Sequence, residues 1–140
     1  HEFIIDLSEF KSLGITDKDI AKRLIDYNFH PPTMSWPIPN SIMIEPTESE
    51  NIEELDRFII AMKKIKREIL EIKEGQYSKD NNVIVNAPHS QEDLLSWLYP
   101  YSPEKGVFPV DNLKKQKQWP TNSRINDVYG DKNLKVKLDN

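Results

Sequence analysis

The sequence contains no cysteine. That excludes disulfides, thiolate nucleophiles and cysteine-based metal sites, and it accords with a reducing compartment. Glycine is scarce, four in 140 residues, and no glycine-rich phosphate loop is present. No apolar run approaches the roughly 20 residues that span a bilayer. Positive charge is not in excess: the net charge is −4 and the pI about 5.4, which argues against nucleic acid as a partner. An apolar share of 37% beside 30% charged residues points to a small core or to surfaces covered by further protein. The three histidines, His1, His30 and His89, are scattered without metal-ligand spacing. The chain opens on His1-Glu2-Phe3-Ile4-Ile5, with neither an initiator Met nor a cationic leader. The expectation is a piece whose true N-terminus lies upstream.

What is present is clearest in the first half. Phe3 to Leu7 is short and β-rich and reads as a buried strand. Ser12 to Ile15 reads as a turn. Thr16 then opens a helix: its hydroxyl can cap, and Asp19 three residues on fits a capping box. Ile20, Ala21, Leu24 and Ile25 share one face, so this helix packs on a sheet, and it ends near Tyr27. His30 to Pro39 holds four prolines in ten residues. Each lacks an N–H and fixes φ, which excludes a helix or a central strand and leaves a stiff, extended loop. Ser41 to Glu45 reads as a second strand stopped by Pro46. A long helix, capped by Thr47 or Ser49, runs to about Glu74 with Gly75 past its end. Leu55, Phe58, Ile59, Met62, Ile65, Ile69 and Ile72 form its apolar stripe; Glu53, Glu54, Lys63, Lys66, Arg67 and Glu71 form the opposite face.

Beyond Gly75 the periodicity fades. Residues 76–140 hold five of the ten prolines and two of the three tryptophans, and their aromatics stand in polar surroundings. Such a stretch anchors on another surface through its aromatics. The expected division is a small α/β domain over 1–75 and an extended tail over 76–140 that wraps on the rest of a parent protein. The run Glu45-Pro46-Thr47-Glu48-Ser49-Glu50 reads as an acidic helix start complementing the dipole rather than as a carboxylate cluster. No nucleophile sits in a recognisable elbow. The proline-rich loop is the odd feature: His30, Thr33, Ser35 and Trp36 place hydrogen-bonding groups on rigid backbone, as loops at a cleft do. A structural crossover with a satisfied His and a packed Trp accounts for the same residues. The residues alone give an α/β piece of unassigned task.

At this loop the sequence becomes specific. The string from Tyr27 to Pro37, then Met43-Ile44-Glu45-Pro46-Thr47-Glu48-Ser49-Glu50 and Glu54-Leu55-Asp56-Arg57-Phe58, resembles the C-terminal region of the glycine decarboxylase family. His1 to Leu7 resembles the strand that opens that family's small domain. Asn86-Ala87-Pro88-His89-Ser90, Pro100-Tyr101-Ser102, Phe108-Pro109, Trp119-Pro120-Thr121 and Arg124 to Asp131 follow in the family's order.

The resemblance implies the C-terminal small domain of a fold-type-I pyridoxal-phosphate enzyme, with a small sheet and two packed helices. It implies decarboxylation of glycine, transfer of the aminomethyl group to the lipoyl arm of H-protein, and a dimer partner, in the mitochondrion of a eukaryote or the cytoplasm of a bacterium. The family's Schiff-base lysine lies in its large domain, after a histidine and before a glycine-rich stretch; no lysine here has that setting, so the piece is expected to be inactive alone. His30, Thr33, Ser35 and Trp36 are the candidates for the substrate and lipoyl entrance. Arg124 is a candidate carboxylate clamp, set against an ion pair with Asp127 or Asp131. His1 either faces the cleft or packs at a strand end. The alternative to an enzyme part is a non-catalytic binding or regulatory module for H-protein or a dimer partner. Departures from the family fall late: Trp97-Leu98-Tyr99-Pro100 replaces a more polar stretch, Gln118 precedes Trp119 where an aromatic is usual, and Asn133-Leu134-Lys135-Val136-Lys137 stands where cysteines are common.

Overall fold

The computed structural model describes residues 1–134; Lys135 to Lys137, on which part of the last departure falls, lie outside the described residues. Three antiparallel strands, β1 (Phe3–Asp6), β2 (Thr33–Met34) and β3 (Ser41–Ile44), form one sheet in the order β1-β3-β2. Phe3 pairs with Ile44 and Ile5 with Ile42, while Thr33 pairs with Met43. The central strand β3 thus lies between the prolines at 39 and 46 and contains none itself. The proline-rich segment contributes two residues at an edge, where a missing N–H costs no ladder bond.

Helix α1 (Asp17–Asp26) starts as the sequence predicts. The Thr16 hydroxyl accepts from the Asp19 N–H at 3.3 Å, and Asp19 Oδ2 accepts from the Thr16 N–H at 2.8 Å. It ends in a Schellman turn: Asn28 takes φ +62, and the Phe29 N–H reaches the Leu24 carbonyl at 3.0 Å. Helix α2 (Ile52–Lys73) ends in the same way at Gly75, φ +79. Its start differs from the expectation. Asn51, not Thr47 or Ser49, caps it, accepting from the Glu54 N–H at 2.8 Å. Thr47 and Ser49 bond to each other in the turn before the helix.

Ile20, Leu24, Ile42, Ile65, Ile69 and Ile72 make the core between the helices and one sheet face. The expectation of a buried first strand fails. β1 is an edge strand in which Phe3, Ile4 and Asp6 are exposed, and burial begins only at Leu7. Val83, Ile84 and Tyr101 belong to the same buried cluster as the helices. Asn82 fixes their irregular backbone: its amide donates to the Ser78 and Lys79 carbonyls and accepts from the Ile84 and Val85 N–H groups. Three short helices follow, α3 (Pro103–Val107), α4 (Leu113–Gln116) and α5 (Asp127–Lys132).

Candidate functional site

The loop from Ser35 to Asn40 leaves and re-enters the sheet through two non-glycine residues in the left-handed region, Ser35 at φ +52 and Asn40 at φ +57. Its neck is closed by polar ties. The Ser35 N–H donates to the Ser41 carbonyl at 2.8 Å, and the Asn40 N–H donates to Ser35 Oγ at 3.2 Å. Ser35 Oγ donates to Asp17 Oδ2, and the Asp17 N–H donates to Asn40 Oδ1 at 2.9 Å. At the tip, Trp36 is 65% exposed and Ile38 45% exposed. A packed Trp is therefore not what this loop holds.

Beside the loop lies an open cleft of about 630 Å³ between β3, α2 and the Phe29–Thr33 segment. Its apolar wall includes Phe3, Met43, Leu55 and Phe58, and its polar groups include His30, Thr33, Glu45, Glu50 and Glu54. Phe29 meets Phe58 edge to face at 5.4 Å, and the Arg57 guanidinium lies 3.8 Å over the Phe29 ring. The hydrogen bond from Arg57 holds the Glu54 carboxyl below its usual value. Such a cleft suits an extended apolar group with a polar end.

A second constellation is sealed from solvent. All five N–H donors of Arg23 are engaged, by Glu68 (2.7 and 3.0 Å), Asp26 (2.8 Å) and the carbonyls of Lys105 (2.8 Å) and Gly106 (2.7 Å). Burial pushes the guanidinium down, but Glu68, Tyr27 and Asp26 together hold it well above its ordinary value. His89 Nδ1 donates to Asp26 at 2.8 Å, and the Tyr101 O–H donates to Nε2 at 2.7 Å. Trp97, Tyr99 and Tyr101 surround the imidazole. Burial raises the Asp26 carboxyl, yet the hydrogen bond from His89, with the charges of Arg23 and Lys117, leaves it below its ordinary value. An Asp–His–Tyr relay of this kind resembles acid–base machinery, but His89, Arg23 and Asp26 are all fully buried. It fastens α1, α2 and residues 86–106 together.

Of the residues singled out from sequence, His30 and Thr33 line the cleft, and Ser35 and Trp36 sit on the adjoining loop. Arg124 lies elsewhere, bordering a separate cleft with Lys18 and Ile125. Its partner is Asp19 at 2.5 Å, with the Ala87 carbonyl at 3.1 Å, rather than Asp127 or Asp131. Asp127 is held instead by Lys18 and Lys22. His1 is exposed, 3.8 Å from Glu2, neither packed nor lining the loop's cleft. Sequence reasoning missed Asp17 and Asn40 in the loop, and Arg23, Asp26 and His89 in the core. The available signal was Glu68 between Ile65 and Ile69 on the apolar stripe of α2.

A family model described as glycine dehydrogenase, C-terminal domain, matches residues 1–89. A putative mitochondrial glycine dehydrogenase (decarboxylating) of Schizosaccharomyces pombe is 57% identical over 137 residues, which are 96% of this chain and 13% of that protein. Glycine dehydrogenase (decarboxylating) of Chromobacterium violaceum is 54% identical over 136 residues, and the mitochondrial protein of Dictyostelium discoideum 55% over 137. The match covers 96% of this chain and 14% of each of these two relatives.

Proposed function

Because the chain belongs to the glycine dehydrogenase C-terminal domain family, we propose that it is the small-domain part of a pyridoxal-phosphate-dependent glycine decarboxylase of fold type I. Its task in that protein is to line the entrance through which glycine and the lipoyl arm of H-protein reach the cofactor. The observation that carries this assignment is the clamped, Trp-bearing loop beside an apolar cleft that holds His30 and Thr33. A lipoyl arm is long and apolar with a polar junction, and this cleft matches that chemistry.

The residues here do not suit the cofactor itself. Among the described residues no lysine borders the cleft, and Lys117, which burial lowers, donates to the Asp26 carbonyl at 2.5 Å. No glycine lines the cleft to admit a phosphate. When bound in the remainder of the parent protein, pyridoxal phosphate supplies the electron sink for loss of carbon dioxide. This chain's residues orient substrate, exclude water and receive the partner. The division at residue 75, with 76–140 contacting the parent protein, and a dimeric assembly belong to the same proposal.

The test uses the full-length parent protein with lipoylated H-protein and pyridoxal phosphate, and follows exchange of the glycine carboxyl carbon with bicarbonate. Exchange that falls about tenfold or more in His30→Ala, Ser35→Ala or Trp36→Ala supports the reading, since one lost anchor at such a site costs at least that factor. A folded, cofactor-bearing parent that shows no exchange would sink it and favour a non-catalytic module that binds H-protein or a dimer partner.

A further inference from the structure

We propose that Asp17, at the first turn of α1, is a positioning residue that fixes the Trp36 loop and thereby sets affinity for the lipoyl-bearing partner; this rests on the entrance reading above. The loop is not held by burial. Trp36 is mostly exposed and Ile38 nearly half exposed, so their side chains give the tip little packing to hold it in one place. Its ends stand in the left-handed region at Ser35 and Asn40, which non-glycine residues adopt only where the surroundings over-determine them.

Asp17 supplies that constraint on both sides of the neck. Its carboxylate takes the Ser35 hydroxyl, and its backbone N–H, one of the donors that α1 cannot satisfy internally, goes to the Asn40 amide. Asn40 closes the triangle by donating its own N–H to Ser35 Oγ. Asp17 is 9% exposed and stands on a helix anchored in the core through Arg23 and Asp26, so the loop takes its position from a helix packed in the core. A tryptophan presented on a loop already held in place loses little freedom when a partner covers it. The geometry therefore assigns Asp17 to partner affinity rather than to chemistry.

The experiment uses full-length parent protein carrying Asp17→Ala or Asp17→Asn. Two readouts are taken: amide hydrogen exchange across residues 33–41, and KM for lipoylated H-protein against kcat in the glycine–bicarbonate exchange. For Asp17→Ala the expected result is faster exchange at Ser35 and Asn40, KM raised roughly tenfold, and kcat within about twofold of the parent. Asp17→Asn keeps an oxygen for the Ser35 hydroxyl and restores most of the affinity. Unchanged hydrogen exchange overturns the clamp. Faster exchange with unchanged KM overturns the link to the partner. A fall in kcat at constant KM overturns the positioning role. Should Asp17→Ala fail to fold, Asn40→Ala removes the second tie from the loop side, where Asn40 Oδ1 accepts from the Asp17 N–H, and faces the same criteria. A wild-type parent without exchange defeats the entrance reading instead, which separates the two failures.

Discussion

Arg23 and Glu68 show how residue type alone can mislead. On α1 the arginine falls at helical spacing among Ile20, Leu24 and Tyr27, and on α2 the glutamate interrupts an isoleucine stripe. Each explains the other once the helices pack: two charges removed from water need each other and every available donor and acceptor. Glu68→Ala leaves the guanidinium buried with only Asp26 to balance it. The expected loss is about 3–5 kcal/mol, read as a lowered urea midpoint with an unchanged slope. Arg124 teaches the converse. Sequence proximity suggests Asp127 or Asp131, whereas the fold brings Asp19 to it across 105 positions. Thr16, by contrast, was fully legible, because a capping box is a local pattern. Thr16→Ala should cost about 1 kcal/mol, seen in the same denaturation experiment.

At the scale of elements, periodic helices are readable and edges are not. Both main helices, and the helix-ending Gly75, follow from spacing and stop signals. The start of α2 was placed several residues early because Thr47, Ser49 and Asn51 are all competent caps, and only the turn before the helix decides among them. The short β2 is invisible in sequence, since two residues between prolines carry no alternation, and burial of β1 was misjudged because a sheet edge leaves no mark in an apolar run. In the candidate site the proline loop was legible as rigid, but not its anchor: nothing in Asp17 or Asn40 announces a contact 23 residues apart. Close packing of α3 yields a separate prediction. A methyl group added at Gly106 would lie 2.9 Å from Trp97 Cζ2 and 3.4 Å from Tyr101 Cε2. Gly106→Ala should therefore destabilise by about 1–3 kcal/mol through displacement of the indole, visible as a changed near-ultraviolet circular dichroism band.

For the whole molecule, protonation links these parts. The Asp26 carboxyl is held below its ordinary value of 3.8, despite burial, by His89, Arg23 and Lys117. The folded chain thus binds that proton less readily than the unfolded one, so this stability is present above pH 3.8 and is lost as the pH falls through the folded value. Lys117 acts at the other end. Burial, opposed by Asp26, lowers it from 10.5 to about 8. Across that window the unfolded chain binds more protons, and stability climbs with pH. The tyrosines oppose the climb above pH 10, because burial raises Tyr27, Tyr101 and Tyr99, the last to about 12. A thermal-melt series from pH 3 to 11 should show the acid limb, and Lys117→Met should flatten the rise that begins near pH 8.

The engagement of Arg23 by carbonyls 82 and 83 positions away also sets an order of events when the chain is made. Until Lys105 and Gly106 have left the ribosome, the Arg23 guanidinium has Asp26 and Glu68 but lacks two of its acceptors. Contacts this distant in sequence form late, after most of the search is over. Weakening them should hasten unfolding far more than it slows refolding. The arginine then acts as a latch, fully engaged only once residues 105 and 106 have arrived.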